Sequence, residues 1–184
     1  MDTVGDGLDA ALQKAFTRPI PKSAGAQVRY LVKQLKGTRR VAELLGITQR
    51  TVERYVKDQI KRPRKELADR LEREVRQRWQ PQIRAKARQT AATTGGIVID
   101  TRARFGYTAA PGTTDDARLR HLTVALPPEY AARLFEAQQQ GATEQQLRHI
   151  AAEGLGEIYF RDRNRRAHGL DVEFTDVEHI DFDL

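Results

Sequence analysis

Val41-Ala-Glu-Leu-Leu-Gly-Ile-Thr-Gln-Arg-Thr-Val-Glu-Arg-Tyr55 is the stretch that most narrows what this chain folds into. Ala42 is small enough to let two helices cross closely, and Gly46, four residues later, takes the positive φ that ends a helix and turns the chain. Beyond the turn, Ile47, Val52 and Tyr55 have core-facing spacing, and Thr48 suits the N-cap of a second helix running to about Asp58. The pattern predicts a helix-turn-helix over 39–58, a unit whose second helix enters the major groove of DNA. Thr48, Gln49, Arg50, Thr51, Arg54 and Lys57 are then the groove-facing candidates. An ordinary αα-hairpin shares the apolar spacing, so the choice between the two rests on charge.

From Lys36 to Arg88 the chain holds 17 Lys or Arg against 7 Asp or Glu, a net of +10, whereas all 184 residues together net +7. A basic field focused on one module is the footprint of phosphate binding. Residues 1–90 carry 22 basic and 10 acidic side chains, and residues 91–184 carry 10 and 15. The change of sign coincides with Gln89-Thr-Ala-Ala-Thr-Thr-Gly-Gly96, a small-residue stretch that reads as a junction. The expectation is a helical DNA-binding domain over 1–90 and a smaller mixed α/β domain over 91–184, an α+β protein as a whole.

In the first half, Leu8, Leu12 and Phe16 share one face of a short helix that stops before Arg18-Pro-Ile-Pro21. Val28, Leu31, Val32 and Leu35 mark a second helix ending at Gly37, placed to back the helix-turn-helix. Lys61-Arg-Pro-Arg-Lys65 then leads into a long helix striped by Leu67, Leu71, Val75 and Trp79, which Pro81 ends or kinks. Around that stripe stand Arg70, Arg73, Arg76 and Arg78; they could grip phosphates as the chain leaves the groove, or Arg70, Arg73 and Arg76 could form a solvated face paired with Asp69, Glu72 and Glu74. Lys61, Arg62, Arg64 and Lys65 have only Glu66 nearby, and contact with DNA phosphates is their expected role.

The second half changes rhythm. Gly96–Tyr107 and Leu119–Leu126 are rich in β-formers and read as strands separated by a loop. Tyr130, Leu134 and Phe135 stripe a helix after Pro127-Pro128. Thr143-Glu-Gln-Gln146 is a capping box that opens another helix, burying Leu147, Ile150, Leu155 and Ile158. The end, with six acids and no Lys or Arg from Asp171 to Leu184, alternates apolar and acidic residues as a solvated strand does.

Few chemistries fit this inventory. His121, His149, His168 and His179 lack ligand spacing, and no HExxH, Walker loop, GxSxG or GxGxxG occurs. No metal site, metal hydrolase or NTPase is therefore expected. The absence of cysteine excludes disulfides and thiolate metal sites. No apolar run approaches the roughly 18 residues of a membrane span, and residues 1–7 lack the pattern of a signal peptide, so no membrane partner and a cytoplasmic, nucleoid location are expected. One loop draws interest: Pro111-Gly-Thr-Thr-Asp-Asp116 predicts a tight turn exposing Thr113 and Thr114. Read alone, its Thr and Asp side chains suit turn formation or helix capping.

Several segments together resemble the telomere terminal proteins of Streptomyces-type linear chromosomes and plasmids. They are Phe16–Tyr30, Gln49–Pro63, Gly95–Ile99, Arg104-Phe-Gly-Tyr-Thr-Ala-Ala-Pro-Gly-Thr-Thr-Asp-Asp116 and the acidic end. The resemblance covers nearly the whole chain, with Arg161–Gly169 matching least. It implies a protein that stays covalently attached to the 5′ end of a linear replicon after priming the DNA synthesis that patches the end.

The resemblance implies Thr114 as the nucleotide acceptor, with Thr113 as the fallback. It also implies a deoxynucleoside triphosphate and Mg²⁺ used with a separate DNA polymerase, no cofactor held by this chain alone, and a stoichiometric primer rather than a turnover enzyme. The implied partners are telomeric DNA with its single-stranded 3′ overhang, a telomere-associated protein and the polymerase, with self-association open. The alternative is a helix-turn-helix transcription regulator whose C-terminal domain senses a ligand or dimerises.

Overall fold

The computed structural model describes residues 3–108, 118–160 and 171–184, and among them the chain forms a mixed α+β structure of eight α-helices and one three-stranded antiparallel sheet. Two units share these elements. One is Thr17–Pro81; the other joins Met1–Phe16 to Gln82–Leu184, so the first is inserted into the sequence of the second.

The inserted unit is all helix: α2 (Ala24–Leu35), α3 (Thr38–Leu45), α4 (Gln49–Val56) and α5 (Lys65–Arg78). Its core gathers Val28 and Leu31 of α2, Val41, Ala42 and Leu45 of α3, Val52 and Tyr55 of α4, and Leu71 and Val75 of α5. Each helix has a local reason to start or stop. Ser23 caps α2 by accepting from the Ala26 amide at 3.3 Å, and Thr48 caps α4 by accepting from the Thr51 amide at 3.2 Å. Between α3 and α4, Gly46 adopts φ 64° and ψ 37°, and the Ile47 amide donates to the Ala42 carbonyl at 3.0 Å. That left-handed residue turns the chain within three positions. Helix α2 ends at Leu35 with Lys36 at φ 55° as its left-handed C-cap, slightly before the expected end at Gly37. Pro81 does end the path of α5, and it opens α6 (Pro81–Thr90) because proline is well suited to the first helical turn.

The second unit is built on β1 (Ile97–Thr108), β2 (Arg118–Leu126) and β3 (Asp171–Asp183) in the order β2-β1-β3, both pairs antiparallel. The register sets Ile97 opposite Leu126, and Val98 opposite Asp183. One face buries Ile97, Ile99, Ala103 and Phe105 with Leu122, Val124, Leu126, Val177, Ile180 and Phe182. Packed in the same core are Leu8 and Leu12 of α1 (Val4–Lys14), Tyr130, Leu134 and Phe135 of α7 (Pro128–Gln139), and Leu147 and Leu155 of α8 (Glu144–Leu155). The capping box at Thr143 and Gln146 forms in full.

Three expectations about organisation change. Helix α1 belongs to the sheet unit, because Leu8 and Leu12 are fully buried in the sheet core. The boundaries therefore fall near residues 16 and 82 instead of 90, and the sheet unit is the larger one. The Gln89–Gly96 stretch is no junction. There the chain continues from α6 into a wide π-type turn, Ala91–Gly95, held as Thr93 and Thr94 donate to the carbonyls of Gln89 and Thr90 at 2.8 and 3.2 Å. Threonine hydroxyls can bond back to the preceding turn, so small polar residues need not break a helix. No helix among the described residues is long and apolar enough to cross a membrane.

Candidate nucleic-acid interface

The six candidates on and beside α4 separate into two groups. Thr48 is committed to its cap, and its hydroxyl lies 2.9 Å from that of Thr51. The Gln49 amide donates from Nε2 to Thr38 Oγ1 at 3.1 Å and to Glu53 Oε1 at 3.0 Å. These three side chains position the start of α4. Arg50, Arg54 and Lys57 are exposed, and no other described residue bonds to their side chains. Arg50 and Arg54, four residues apart, lie on one face of the helix.

The chain leaving α4 is pinned at several points. Asp58 takes φ 55°, the Gln59 amide donates to the Arg54 carbonyl at 2.9 Å, and Arg29 Nη1 donates to the Val56 carbonyl at 3.0 Å and to Asp58 Oδ2 at 2.7 Å. Gly25 of α2 makes room, because a Cβ there would collide with the Asp58 carboxylate. Ile60 then packs against the helical core, as does Leu67 further on. Between these anchors Lys61, Arg62, Arg64 and Lys65 are all exposed and likewise unbonded through their side chains among the described residues.

Other arginines of the unit serve as its controls. Arg70 Nη1 donates to the Leu45 carbonyl at 2.6 Å and so satisfies the end of α3. Arg76 pairs with Glu72 at 2.5 Å, Arg78 with Glu74, and Arg39 with Glu43 at 3.2 Å. For Arg76 and Arg78 the helix supplies carboxylates four residues away. Among the described residues, the cations of this unit without a bonded partner are densest from Arg50 to Lys65. Since lone cations near one another repel, this arrangement is favourable only where solvent ions or an anionic partner screen it.

Thr113 and Thr114 lie outside the described residues. On the sheet, the polar face holds a constellation that sequence spacing hid. Asp100 on β1 accepts from Thr123 at 2.5 Å, and its Oδ1 lies 3.0 Å from His121 Nε2 and 3.7 Å from His179 Nε2. The Thr123 hydrogen bond, followed by that of His121, holds the Asp100 carboxyl below the usual aspartate range. His121 and His179 are 58 positions apart, yet each stands opposite Arg102 in the sheet register. The alternation of β1 already put Asp100 and Arg102 on one face; only the strand order brings both histidines to it. Even so, no group of three or more His, Asp or Glu among the described residues is arranged to hold a metal ion.

Glu178, Asp181 and Asp183 of β3 are used locally. Lys14 Nζ lies 3.3 Å from Asp181 and 3.6 Å from Asp183, and Arg102 pairs with Glu178 at 3.0 Å. Comparison with protein-family models, curated proteins and solved structures finds no match to this chain.

Proposed function

We propose that this chain is a DNA-binding protein primer of the telomere terminal type, with α3 and α4 acting as a helix-turn-helix. The observation that carries the DNA half is the set of seven exposed cations, Arg50, Arg54, Lys57, Lys61, Arg62, Arg64 and Lys65, whose side chains bond no other described residue, within a unit whose other arginines are largely bonded internally. A guanidinium left free on a helix face is ready to grip phosphate or the edge of guanine.

The priming half rests on the resemblance at Arg104–Asp116. In this reading the Thr114 hydroxyl attacks the α-phosphate of a deoxynucleoside triphosphate. A phosphoester bond to Thr114 Oγ forms, the bond to the β-phosphate breaks, and pyrophosphate leaves. Mg²⁺ and the proton acceptor belong to the polymerase, so this chain supplies a positioned hydroxyl. The telomere-associated protein would bring it to the 3′ overhang, and the chain would lie in the nucleoid at the ends of linear replicons.

Incubation with polymerase, Mg²⁺ and a radiolabelled deoxynucleotide tests the acceptor. Thr114→Ala is expected to abolish covalent label while leaving DNA affinity unchanged; full labelling of that variant would move the acceptor, first to Thr113. A transcription regulator would use the same cationic face. Nuclease digestion of the cellular protein followed by intact mass separates the two, since a nucleotide remaining on a threonine peptide belongs to a primer alone.

A further inference from the structure

We infer that Arg62 and Arg64 form a minor-groove reader that works beside α4, a role distinct from simple phosphate contact. The inference rests on the proposed DNA binding and deepens it by naming what this segment recognises.

The segment is extended and stiff: residues 60–64 lie in no helix or strand, Pro63 fixes its own φ and confines Arg62 to extended backbone, and Arg64 has φ −62° and ψ 152°, close to polyproline II. Its root is held by the Arg29–Asp58 bridge at 2.7 Å and by Ile60 packed against the core, and Leu67, likewise packed against it, anchors its far side. From Lys61 to Lys65 its side chains are exposed and basic at four of five positions, with no acid before Glu66. Rigidity matters because a flexible basic tail loses conformational entropy on entering a groove, whereas this segment has little to lose.

The chemistry separates the two arginines from the two lysines. A narrow minor groove, as in A-tracts, concentrates negative potential and draws in cationic side chains. Guanidinium is planar and more weakly hydrated than ammonium, which suits it to a confined groove, while a lysine is a strongly hydrated point charge suited to open phosphates. Arg62 and Arg64 stand two residues apart in an extended link after α4; arginines on extended segments enter the minor groove beside a helix seated in the major groove in proteins where that segment is a free N-terminal arm, and here the segment is tethered at both ends. Lys61 and Lys65, at the two ends, are left for the flanking phosphates.

The test uses the full chain and two synthetic duplexes of one sequence containing A-tracts. In the second duplex 2,6-diaminopurine replaces adenine, which adds an amino group in the minor groove and leaves the major-groove face of the base unchanged. Affinities come from fluorescence anisotropy across a salt series. The wild-type chain is expected to prefer the unmodified duplex by about fivefold, the size of a groove-shape effect. Substituting both Arg62→Lys and Arg64→Lys should bring the ratio to about one with an unchanged salt slope, because the charge is kept. Substituting both Arg50→Ala and Arg54→Ala should weaken both duplexes and preserve the ratio. A wild-type ratio of one, or a ratio that survives the lysine changes, overturns the minor-groove role while leaving DNA binding intact. Failure of the wild-type chain to bind either duplex overturns both.

Discussion

Thr17–Pro81 carries 18 Lys or Arg against 7 Asp or Glu, whereas the two segments of the sheet unit together carry 14 against 18. The units also dispose of their charges differently. In the sheet unit Arg84 pairs with Asp9 at 2.5 Å, Arg133 with Glu153 at 2.6 Å, Arg148 with Glu144 at 2.8 Å, and Lys14 with Asp181 at 3.3 Å. The helical unit lacks the carboxylates to match its cations, and the shortfall is densest from Arg50 to Lys65. The exposed pairs Arg133–Glu153 and Lys14–Asp181 contribute only about 0.2–1 kcal/mol each, whereas Arg84 is buried and depends on its bond to Asp9. Among the described residues, most of the sheet unit's cations that form ion pairs find acids within it, whereas the helical unit carries more cations than acids to pair them.

The largest effect should come from testing whether α1 truly belongs with the sheet. Leu8 is fully buried, and Leu8→Ala should cost about 2–5 kcal/mol, the loss of a buried leucine plus the cavity left behind. Hydrogen exchange reads where that cost falls. Amides of β1 and β3 should lose protection while those of α2 and α4 keep theirs. Loss confined to α2–α5 would restore the division at residue 90.

A smaller effect sharpens the contrast between bonded and free arginines within the helical unit. Arg70→Ala removes a charged donor from the Leu45 carbonyl, and the expected destabilisation is roughly 1–3 kcal/mol with DNA affinity changed less than about twofold. Replacing Arg50 and Arg54 by alanine should do the reverse. Stability should move by no more than about 0.5 kcal/mol, as for surface sites without partners, while affinity falls at least about tenfold, given about 1–3 kcal/mol for each good base contact. Denaturant titration and anisotropy measure the two quantities side by side. If Arg70→Ala weakened binding as much as the paired change does, internal bonding would be no guide to which arginines meet DNA.

Local sequence makes some parts of the molecule legible and leaves others hidden. Gly46, Thr48 and the spacing of Val41, Leu45 and Val52 carry α3 and α4 because turn chemistry and capping act within a few residues. Thr143 and Gln146 do the same for α8. The placement of α1 was hidden, since an apolar stripe such as Leu8 and Leu12 fixes a buried face but not its partner. Likewise, nothing near Arg29 or Arg70 announces that they bond carbonyls 27 and 25 positions away. The charge excess was legible as a sum, and the fold decides which cations remain free. Spacing alone does not separate Arg50 and Arg54 from Arg76 and Arg78, since Glu53 lies three residues after Arg50 and Asp58 four after Arg54; those carboxylates bond Gln49 and Arg29, whereas Glu72 and Glu74 bond Arg76 and Arg78.

The smallest expected effect concerns the polar face of the sheet, where charge is again matched internally. Asp100 has its pKa lowered from 3.8, first by the Thr123 hydrogen bond and then by His121. A carboxyl whose folded pKa lies below its unfolded value stabilises the fold at pH values above the unfolded one, and that contribution disappears as pH falls through the folded one. Asp100→Asn should therefore lower the denaturant midpoint slightly at pH 7, and the wild-type and variant midpoints should begin to converge as pH falls below about 3.8, the ordinary aspartate value, and meet only below the depressed folded pKa. Because the side chain is partly exposed, water screens much of the interaction and the gap should stay small. Thr123→Val tests the cause: with the hydroxyl removed, the Asp100 titration followed by NMR should shift upward. If the shift were absent, the histidines would hold the carboxylate without the threonine, and the order of the two causes would be reversed.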